Sequence, residues 1–111
     1  MATGMLLEID GLDDKRYERI NDALDLYNNP PKGLIFHTAG PTNSGGWRVL
    51  DIWESKDLFD RFFRQRLQPA FNQVGLNEPP SRQEFFPIHN AYVPQPTLLN
   101  NLPHATAGAR R

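Results

Sequence analysis

Residues 34–53, LIFHTAGPTNSGGWRVLDIW, contain two short runs rich in β-branched and aromatic residues, with a turn-rich joint between them. We predict strands over residues 34–40 and 46–53, because such side chains favour a pleated sheet. Residues 41–45 supply the Pro, Asn, Ser and Gly that a reverse turn favours. This stretch therefore predicts a β-hairpin, and the remainder of the chain is interpreted outward from it.

A helix is predicted on each side of the hairpin. Residues 13–27 carry one apolar stripe at helical spacing, formed by Tyr17, Ile20, Leu24 and Tyr27. Two consecutive prolines in residues 28–33 end that pattern. After the hairpin, Ser55 is a good N-cap for a second helix whose phenylalanines form a buried face. Pro69 lies within this second pattern and predicts a kink or break near Gln68.

One more strand is predicted before the first helix, over residues 5–9, and another after the second helix, over residues 83–92. Pro87 lies within the second of them, which is compatible only with an edge strand or a bulge. The order β-α-β-β-α-β is that of an α+β, ferredoxin-like fold with a four-stranded antiparallel sheet. We expect one domain over residues 1–93 and an irregular C-terminal tail over residues 94–111.

Both helices are expected on one face of the sheet, which leaves the other face bare. A chain of 111 residues cannot leave a strongly apolar sheet face in water. A second sheet from an identical chain, related by a two-fold axis, is the simplest cover. The sequence therefore predicts a homodimer.

Composition excludes several classes of protein. Twelve basic against thirteen acidic residues give a net charge of −1, which argues against a nucleic-acid-binding protein. The absence of cysteine excludes disulfides, thiolate zinc sites, iron–sulfur clusters and a cysteine nucleophile. No apolar run is long enough to span a membrane, and residues 1–4 do not resemble a secretory signal, so a cytoplasmic location is expected.

Alternation along the hairpin sorts its side chains into two sets. The set expected beneath the helices is Leu34, Phe36, Thr38, Arg48, Leu50 and Ile52. The set expected on the open face is Ile35, His37, Ala39, Trp47, Val49, Asp51 and Trp53. On the last strand, Phe85, Pro87 and His89 are assigned to the open face as well.

A small-molecule cavity on the open face is the resulting hypothesis, because it joins an apolar wall to a few polar groups. His37 or His89 is the candidate proton-transfer group, since imidazole titrates near neutral pH, and Asp51 is its candidate orienting partner. The candidate substrate-binding wall is Trp47, Trp53, Phe85 and Ile35. Each histidine could instead be a structural, hydrogen-bonded group, and a metal held by both histidines and Asp51 is a weaker alternative.

The strand–helix junction also carries a family resemblance. GGWRVLDIWES over residues 45–55, leading into KDLF, together with the β-α-β-β-α-β order, resembles the dimeric α+β barrel superfamily. Within it the chain is most similar to the antibiotic biosynthesis monooxygenase-type proteins. Their third strand typically ends in an aromatic-Glu-Ser stretch that caps a helix with a phenylalanine three or four residues on. The resemblance covers residues 5–93.

The resemblance implies a small-molecule enzyme without a cofactor, of the monooxygenase or polyketide-cyclase kind, acting on an aromatic or polyketide-type substrate. The haem-degrading branch carries a Trp and then a His ligand on its second helix. Residues 59–71 contain neither, which argues against that activity. In cyclase-like members a cavity histidine is the acid/base, and His37 and His89 are compatible with that role.

Two other functions remain open from the sequence. The same residues could form a non-catalytic ligand-binding or stress-associated barrel, in which the histidines are structural. The leucines of residues 98–102 could instead hold a partner, as in a regulatory or assembly module.

Overall fold

A computed structural model describes residues 1–103 of the chain. Its strands are β1 (Thr3–Ile9), β2 (Leu34–Pro41), β3 (Trp47–Trp53) and β4 (Arg82–Pro87). Its helices are α1 (Asp14–Leu24), α2 (Lys56–Phe62) and α3 (Gln68–Gln73), with a π-helical turn at Phe63–Leu67 and a 3₁₀ turn at Pro96–Asn101.

The four strands form one antiparallel sheet in the order β2-β3-β1-β4. The two β-α-β halves are thereby interleaved, as in the ferredoxin-like arrangement. The predicted fold class is confirmed. Strand β4 lies at the edge of the sheet, so Pro87 interrupts no central ladder of hydrogen bonds.

Helix α1 begins and ends at identifiable residues. The Asp13 side chain accepts a hydrogen bond from the backbone N–H of Arg16, as an N-cap does. Asp25 adopts a left-handed conformation with φ of 51° and ends the helix. The helix is therefore shorter than predicted, and Tyr27 lies beyond its end.

Proline at position 69 widens the second helix rather than breaking it. Because Pro69 has no N–H and its ring crowds the preceding turn, a regular helix cannot continue through it. The chain forms one π-helical turn, in which the Gln68 N–H donates to the Phe63 carbonyl, and α3 then continues. In this turn Arg66 donates from Nη2 to the carbonyls of Leu24 and Asn29, at 2.8 Å each, and so ties the turn to the end of α1.

On β3, the two faces of the sheet are the reverse of the prediction. Trp47, Val49, Asp51 and Trp53 are buried beneath the helices, whereas Leu50 is exposed on the open face. The indole of Trp53 packs against Phe59, with ring centroids 5.5 Å apart. The alternation was predicted correctly. Its direction was wrong because two large indoles bury more apolar surface than Leu50 and Ile52.

Strand β4 is reversed in the same way. Phe85 packs on Phe59 beneath the helices, with ring centroids 5.7 Å apart, and Phe86 lies on the open face. The Phe86 ring covers Gly4, where a β-carbon would come within 2.3 Å of the ring. A glycine in β1 thus makes room for an aromatic side chain of the last strand.

A β-bulge in β2 separates two residues that the prediction placed together. Leu34 pairs with Trp53 and Phe36 with Ile52, so Ile35 is an extra residue between them. Leu34 therefore faces the helices, as predicted, whereas Phe36 faces the open side, contrary to the prediction. Ile35 is exposed, and the structure does not place it against the cavity described below.

Beyond β4 the chain continues as a C-terminal arm, defined here as residues 88–103. The last strand ends at Pro87, five residues earlier than predicted. The Ile88 N–H still donates to the Ala2 carbonyl. Further along, the arm contains the 3₁₀ turn at Pro96–Asn101. Within residues 1–103, no helix has the length and apolar character needed to cross a membrane.

Candidate functional site

The hairpin places an imidazole directly opposite a carboxylate. His37 on β2 and Asp51 on β3 are paired across the two strands, and both face the helices. His37 Nδ1 lies 2.6 Å from Asp51 Oδ1. Asp51 is buried, so its charge requires a partner, and of the candidates considered from the sequence the structure brings it to His37.

Two further side chains extend this pair into a chain of four. The Tyr17 hydroxyl on α1 lies 2.6 Å from His37 Nε2. At the other end, the Trp53 Nε1–H donates to Asp51 Oδ2 at 3.1 Å. We call these four side chains the proton chain: Tyr17, His37, Asp51 and Trp53. They connect α1 to both strands of the hairpin.

One arrangement of protons satisfies both short contacts of His37. With Asp51 ionised, its carboxylate only accepts, so His37 Nδ1 carries the proton between them. With His37 neutral, Nε2 is an acceptor, and the Tyr17 hydroxyl donates to it. This is the arrangement of a hydroxyl, a base and an orienting carboxylate that activates hydroxyl groups in many enzymes.

Tyr17 is held in its protonated form. Burial raises the pKa of the Tyr17 phenol above its ordinary value, and this effect outweighs a hydrogen bond with Asn21, which lowers it. The negative charges of Asp51 and Glu18 raise the pKa further. At neutral pH the phenol is therefore a hydrogen-bond donor and not a phenolate base.

A cavity lies between the helices and the sheet, and the proton chain forms part of its wall. Its volume is about 50 Å³. Apart from the proton chain and Asn21, the lining of the cavity is apolar. Its side chains come from β1, the helices and the loop after α1, among others. Since one water molecule needs about 10–15 Å³, the cavity has room for a few waters or a very small ligand.

The residues predicted from the sequence fall into two groups. His37, Asp51 and Trp53 line the cavity, but on the helix side of the sheet and not on the open side. His89 follows the end of β4, is exposed, and does not line the cavity, so the expectation that both histidines share it was wrong. Phe85 packs on Phe59 and likewise lies outside the lining.

Trp47 is buried next to the proton chain without being part of it. Only 8% of the residue is exposed, and its ring packs on Tyr17 with centroids 5.1 Å apart. Among the described residues, its Nε1–H is the one buried side-chain polar atom without a hydrogen-bond partner. Buried donors are normally satisfied, so this N–H is available to a ligand or a water molecule.

Sequence reasoning missed Tyr17 as a site residue. It was assigned only to the apolar stripe of α1, because tyrosine at helical spacing usually belongs to the core. The residue does face the sheet, as that stripe implies. What distinguishes it is a hydroxyl that meets His37, which lies 20 positions away, and local spacing gives no signal of such a contact.

Within residues 1–103, no three His, Asp or Glu side chains approach closely enough to hold a metal ion. The two-histidine, one-carboxylate alternative fails because His89 lies away from His37 and Asp51.

Comparisons with known proteins show similarity in structure only. No protein-family profile matches the sequence, and no curated protein is similar to it. SnoaB, a cofactor-independent oxygenase from Streptomyces nogalater, aligns with a TM-score of 0.57 at 13% identity, covering 85% of this chain and 97% of SnoaB.

Two further structures are comparable. A candidate antibiotic biosynthesis monooxygenase from Chloroflexus aurantiacus aligns with a TM-score of 0.59 at 10% identity, covering 83% of this chain and 98% of that protein. A protein of unknown function from Nitrosomonas europaea aligns with a TM-score of 0.63 at 16% identity, covering 85% and 95%. The resemblance inferred from the strand–helix junction is thus confirmed at the level of the fold.

Proposed function

We propose that the protein is a cofactor-independent enzyme that removes a proton from a small aromatic or polyketide-type substrate in the cavity between helices and sheet. The observation that supports this most directly is the proton chain, which places an imidazole nitrogen at the wall of an otherwise apolar cavity. An apolar cavity with a few convergent polar groups is the usual form of a small-molecule site.

His37 is the base in this proposal. The acidic O–H or C–H of the substrate takes the place of the Tyr17 hydroxyl at Nε2, and its proton passes to the imidazole. Asp51 stabilises the imidazolium that results, and the protonated phenol of Tyr17 donates to the anion left on the substrate. Trp53 holds the carboxylate in position through its other oxygen.

The substrate anion can then react in two ways. With dioxygen as co-substrate, the CH₂ carbon that lost its proton is oxidised to a carbonyl: one oxygen atom enters the product and the other leaves as water. By attack on a carbonyl of the same molecule, the anion instead closes a ring, and the alkoxide formed takes the proton back from His37. SnoaB, which has the same fold, is described as a cofactor-independent oxygenase, which supports the first of these. Both begin with the same proton transfer, so the proton transfer is the step to test.

Deuterium wash-out from a carbon acid measures this step without knowledge of the final product. The probes are neutral 1,3-diketones and polycyclic phenols deuterated at their acidic carbon, with deuterium loss followed by mass spectrometry. We expect the protein to accelerate exchange, and His37→Ala to reduce the acceleration at least about 100-fold, as loss of a general base does.

His89→Ala is the matched control, because it removes an exposed imidazole outside the cavity. Its exchange rate should equal that of the wild type. The proposal fails if no probe exchanges faster than in buffer, or if His37→Ala exchanges as fast as the wild type while remaining folded by circular dichroism.

A non-catalytic ligand-binding protein is the second candidate, and the size of the cavity favours it. About 50 Å³ is far below the roughly 300–1,000 Å³ of sites for drug-sized molecules. A polycyclic substrate would therefore require the helices to move away from the sheet. In the binding function, His37 is structural, and His37→Ala lowers the free energy of unfolding by about 1–3 kcal/mol without affecting any turnover.

We also propose that the chain forms a homodimer through the open face of the sheet. One end of this face is apolar and carries Phe36, Ile52 and Phe86, with Leu6 and Leu50 next to them. Of these, Leu50 is 42% exposed and Phe86 is 45% exposed. The other end carries the ion pairs of Glu8 with Arg48 and Arg82. An apolar patch rimmed by charged groups is typical of a protein interface.

Analytical ultracentrifugation tests this dimer. We expect the wild type to sediment as a dimer and Leu50→Glu as a monomer, because the substitution buries a charge in the apolar part of the face. Gln73→Glu adds the same charge to the helix layer and should leave the dimer intact. A monomeric wild type at all accessible concentrations would contradict the proposal.

A further inference from the structure

The C-terminal arm exposes large apolar side chains. Tyr92, Leu98 and Leu102 are 79%, 54% and 54% exposed, and Val93 is also exposed. Single exposed apolar residues are common on protein surfaces, but four within eleven positions of one segment are not. The arm thus has the side chains of a contact surface, and in the isolated chain these four remain exposed.

The arm is also part of a long segment without charge. Residues 85–109 contain no Lys, Arg, Asp or Glu, although such residues make up 23% of the whole chain. Solvated tails are typically rich in charge, whereas the centres of protein interfaces are depleted of it. The composition therefore fits a segment that is covered by protein.

Few interactions tie the arm to its own domain. Among the backbone hydrogen bonds of residues 1–103, the bond from the Ile88 N–H to the Ala2 carbonyl is the last that joins the arm to the rest of the domain. The later hydrogen bonds, from Leu98 to Gln95 and from Leu102 to Leu99, lie within the arm itself. Pro94 and Pro96 restrict its backbone, which lowers the entropic cost of docking in a fixed conformation.

The position of the arm relates it to the open face. The arm follows the last two residues of β4, Phe86 and Pro87, and so begins at the apolar end of that face. Four strands of six to eight residues present a flat area on the order of 400 Å². A standard interface takes about 800 Å² of accessible surface from each partner, so a contact surface beside the open face would bring the interface towards that size.

We propose that the C-terminal arm docks on a second copy of the chain, with Leu98 and Leu102 as its apolar anchors. In a two-fold dimer each arm extends from the edge of one sheet onto the other protomer and covers apolar surface beside the open face. This proposal rests on the proposed homodimer and goes beyond it, because it assigns part of the interface to a segment outside the sheet.

The test compares two double variants that add the same charge to the arm. Leu98→Asp with Leu102→Asp removes the anchors, whereas Asn100→Asp with Asn101→Asp changes polar positions between them. We expect the leucine variant to raise the dimer dissociation constant at least about 100-fold and the asparagine variant to change it less than about threefold. Circular dichroism checks that both remain folded.

Cross-linking identifies what the arm touches. Because the chain has no cysteine, Leu98→Cys provides a single thiol for a benzophenone maleimide. Illumination of this protein mixed with an isotopically labelled wild type should give peptides that join the two copies.

Three results overturn the proposal, and they differ in what else they exclude. If the leucine variant dimerises as tightly as the wild type while Leu50→Glu is monomeric, the arm is not an anchor but the dimer stands. If cross-links form only within one chain, the arm folds back on its own domain. If the wild type is monomeric, the homodimer and the arm contact both fail.

Discussion

At the scale of single residues, Asp51 decides the character of the site. A buried carboxylate is costly unless its oxygens are hydrogen-bonded, and here each oxygen accepts from a different ring, His37 and Trp53. The same two bonds fix the imidazole with Nε2 towards Tyr17. Asp51 therefore provides a hydrogen-bond acceptor for two ring N–H groups and also sets the orientation of the candidate base.

Asp51→Asn should lower the free energy of unfolding by about 1–3 kcal/mol. The amide has the shape of the carboxylate, but its NH₂ group turns a donor towards one of the two ring N–H groups and leaves that donor unsatisfied. Urea unfolding measures the change. Asp22→Asn, at an exposed position of α1, is the control and should be within about 0.5 kcal/mol of the wild type.

Tyr17→Phe should remove part of the loss of stability at alkaline pH. Because the pKa of Tyr17 is raised in the folded state, its contribution to stability is complete below the unfolded value of about 10 and is lost as the pH rises through the folded value. The wild type should therefore lose more free energy of unfolding than Tyr17→Phe between about pH 9 and pH 11.

Urea unfolding at several pH values checks this difference. Tyr92→Phe, which removes an exposed phenol, is the control and should follow the wild-type profile. Parallel profiles for Tyr17→Phe and the wild type would show that the phenol does not titrate differently in the folded state.

At the scale of secondary-structure elements, the hairpin shows what the sequence could predict. Period-two alternation placed His37 and Asp51 on one face of the sheet, and the structure pairs them directly. The direction of that face was not predictable in this way, because both sets of side chains are largely apolar. Which face is buried depends on how the helices pack on Trp47 and Trp53, and alternation within a strand does not contain that information.

The candidate site was predictable to a similar extent. Asp51 was predicted as the orienting partner of His37 or His89, and the structure pairs it with His37. Tyr17 was not identified, because its hydroxyl reaches the imidazole from another element. His89 was assigned to the cavity because the last strand was extended past Pro87, where the structure ends it. Element ends and contacts between elements were thus the least predictable features.

Arg66 links the π-helical turn to the end of α1, so replacing its side chain should lower the free energy of unfolding. Arg66→Gln removes the hydrogen bonds to the carbonyls of Leu24 and Asn29, which we expect to cost about 1–2 kcal/mol in unfolding free energy. Arg64→Gln changes an exposed arginine of the same π-helical turn and should cost much less. Equal effects would indicate a general charge effect and not the link to α1.

At the scale of the whole molecule, the distribution of apolar surface is uneven. The helix layer encloses one face of the sheet, while the open face and the C-terminal arm both present apolar side chains. A small domain buries a limited fraction of its surface, so the proposed homodimer would add a substantial part of its stability by burying more.

The melting temperature should consequently depend on protein concentration. Association stabilises the folded state by mass action, so a hundredfold increase in concentration should raise the wild-type melting temperature by a few degrees. Leu50→Glu should melt at one temperature over the same range. Calorimetry at several concentrations checks both, and a concentration-independent wild type would contradict coupling between folding and dimerisation.

The position of β1 in the sheet has a consequence for how the protein is made. β1 emerges first from the ribosome, yet it lies between β3 and β4, and β4 is the last strand to be synthesised. At about 5–20 residues per second, Met5, Leu7 and Ile9 remain without their neighbours for several seconds. The sheet cannot be completed before β4 has been translated, so the apolar side chains of β1 lack part of their cover throughout that time.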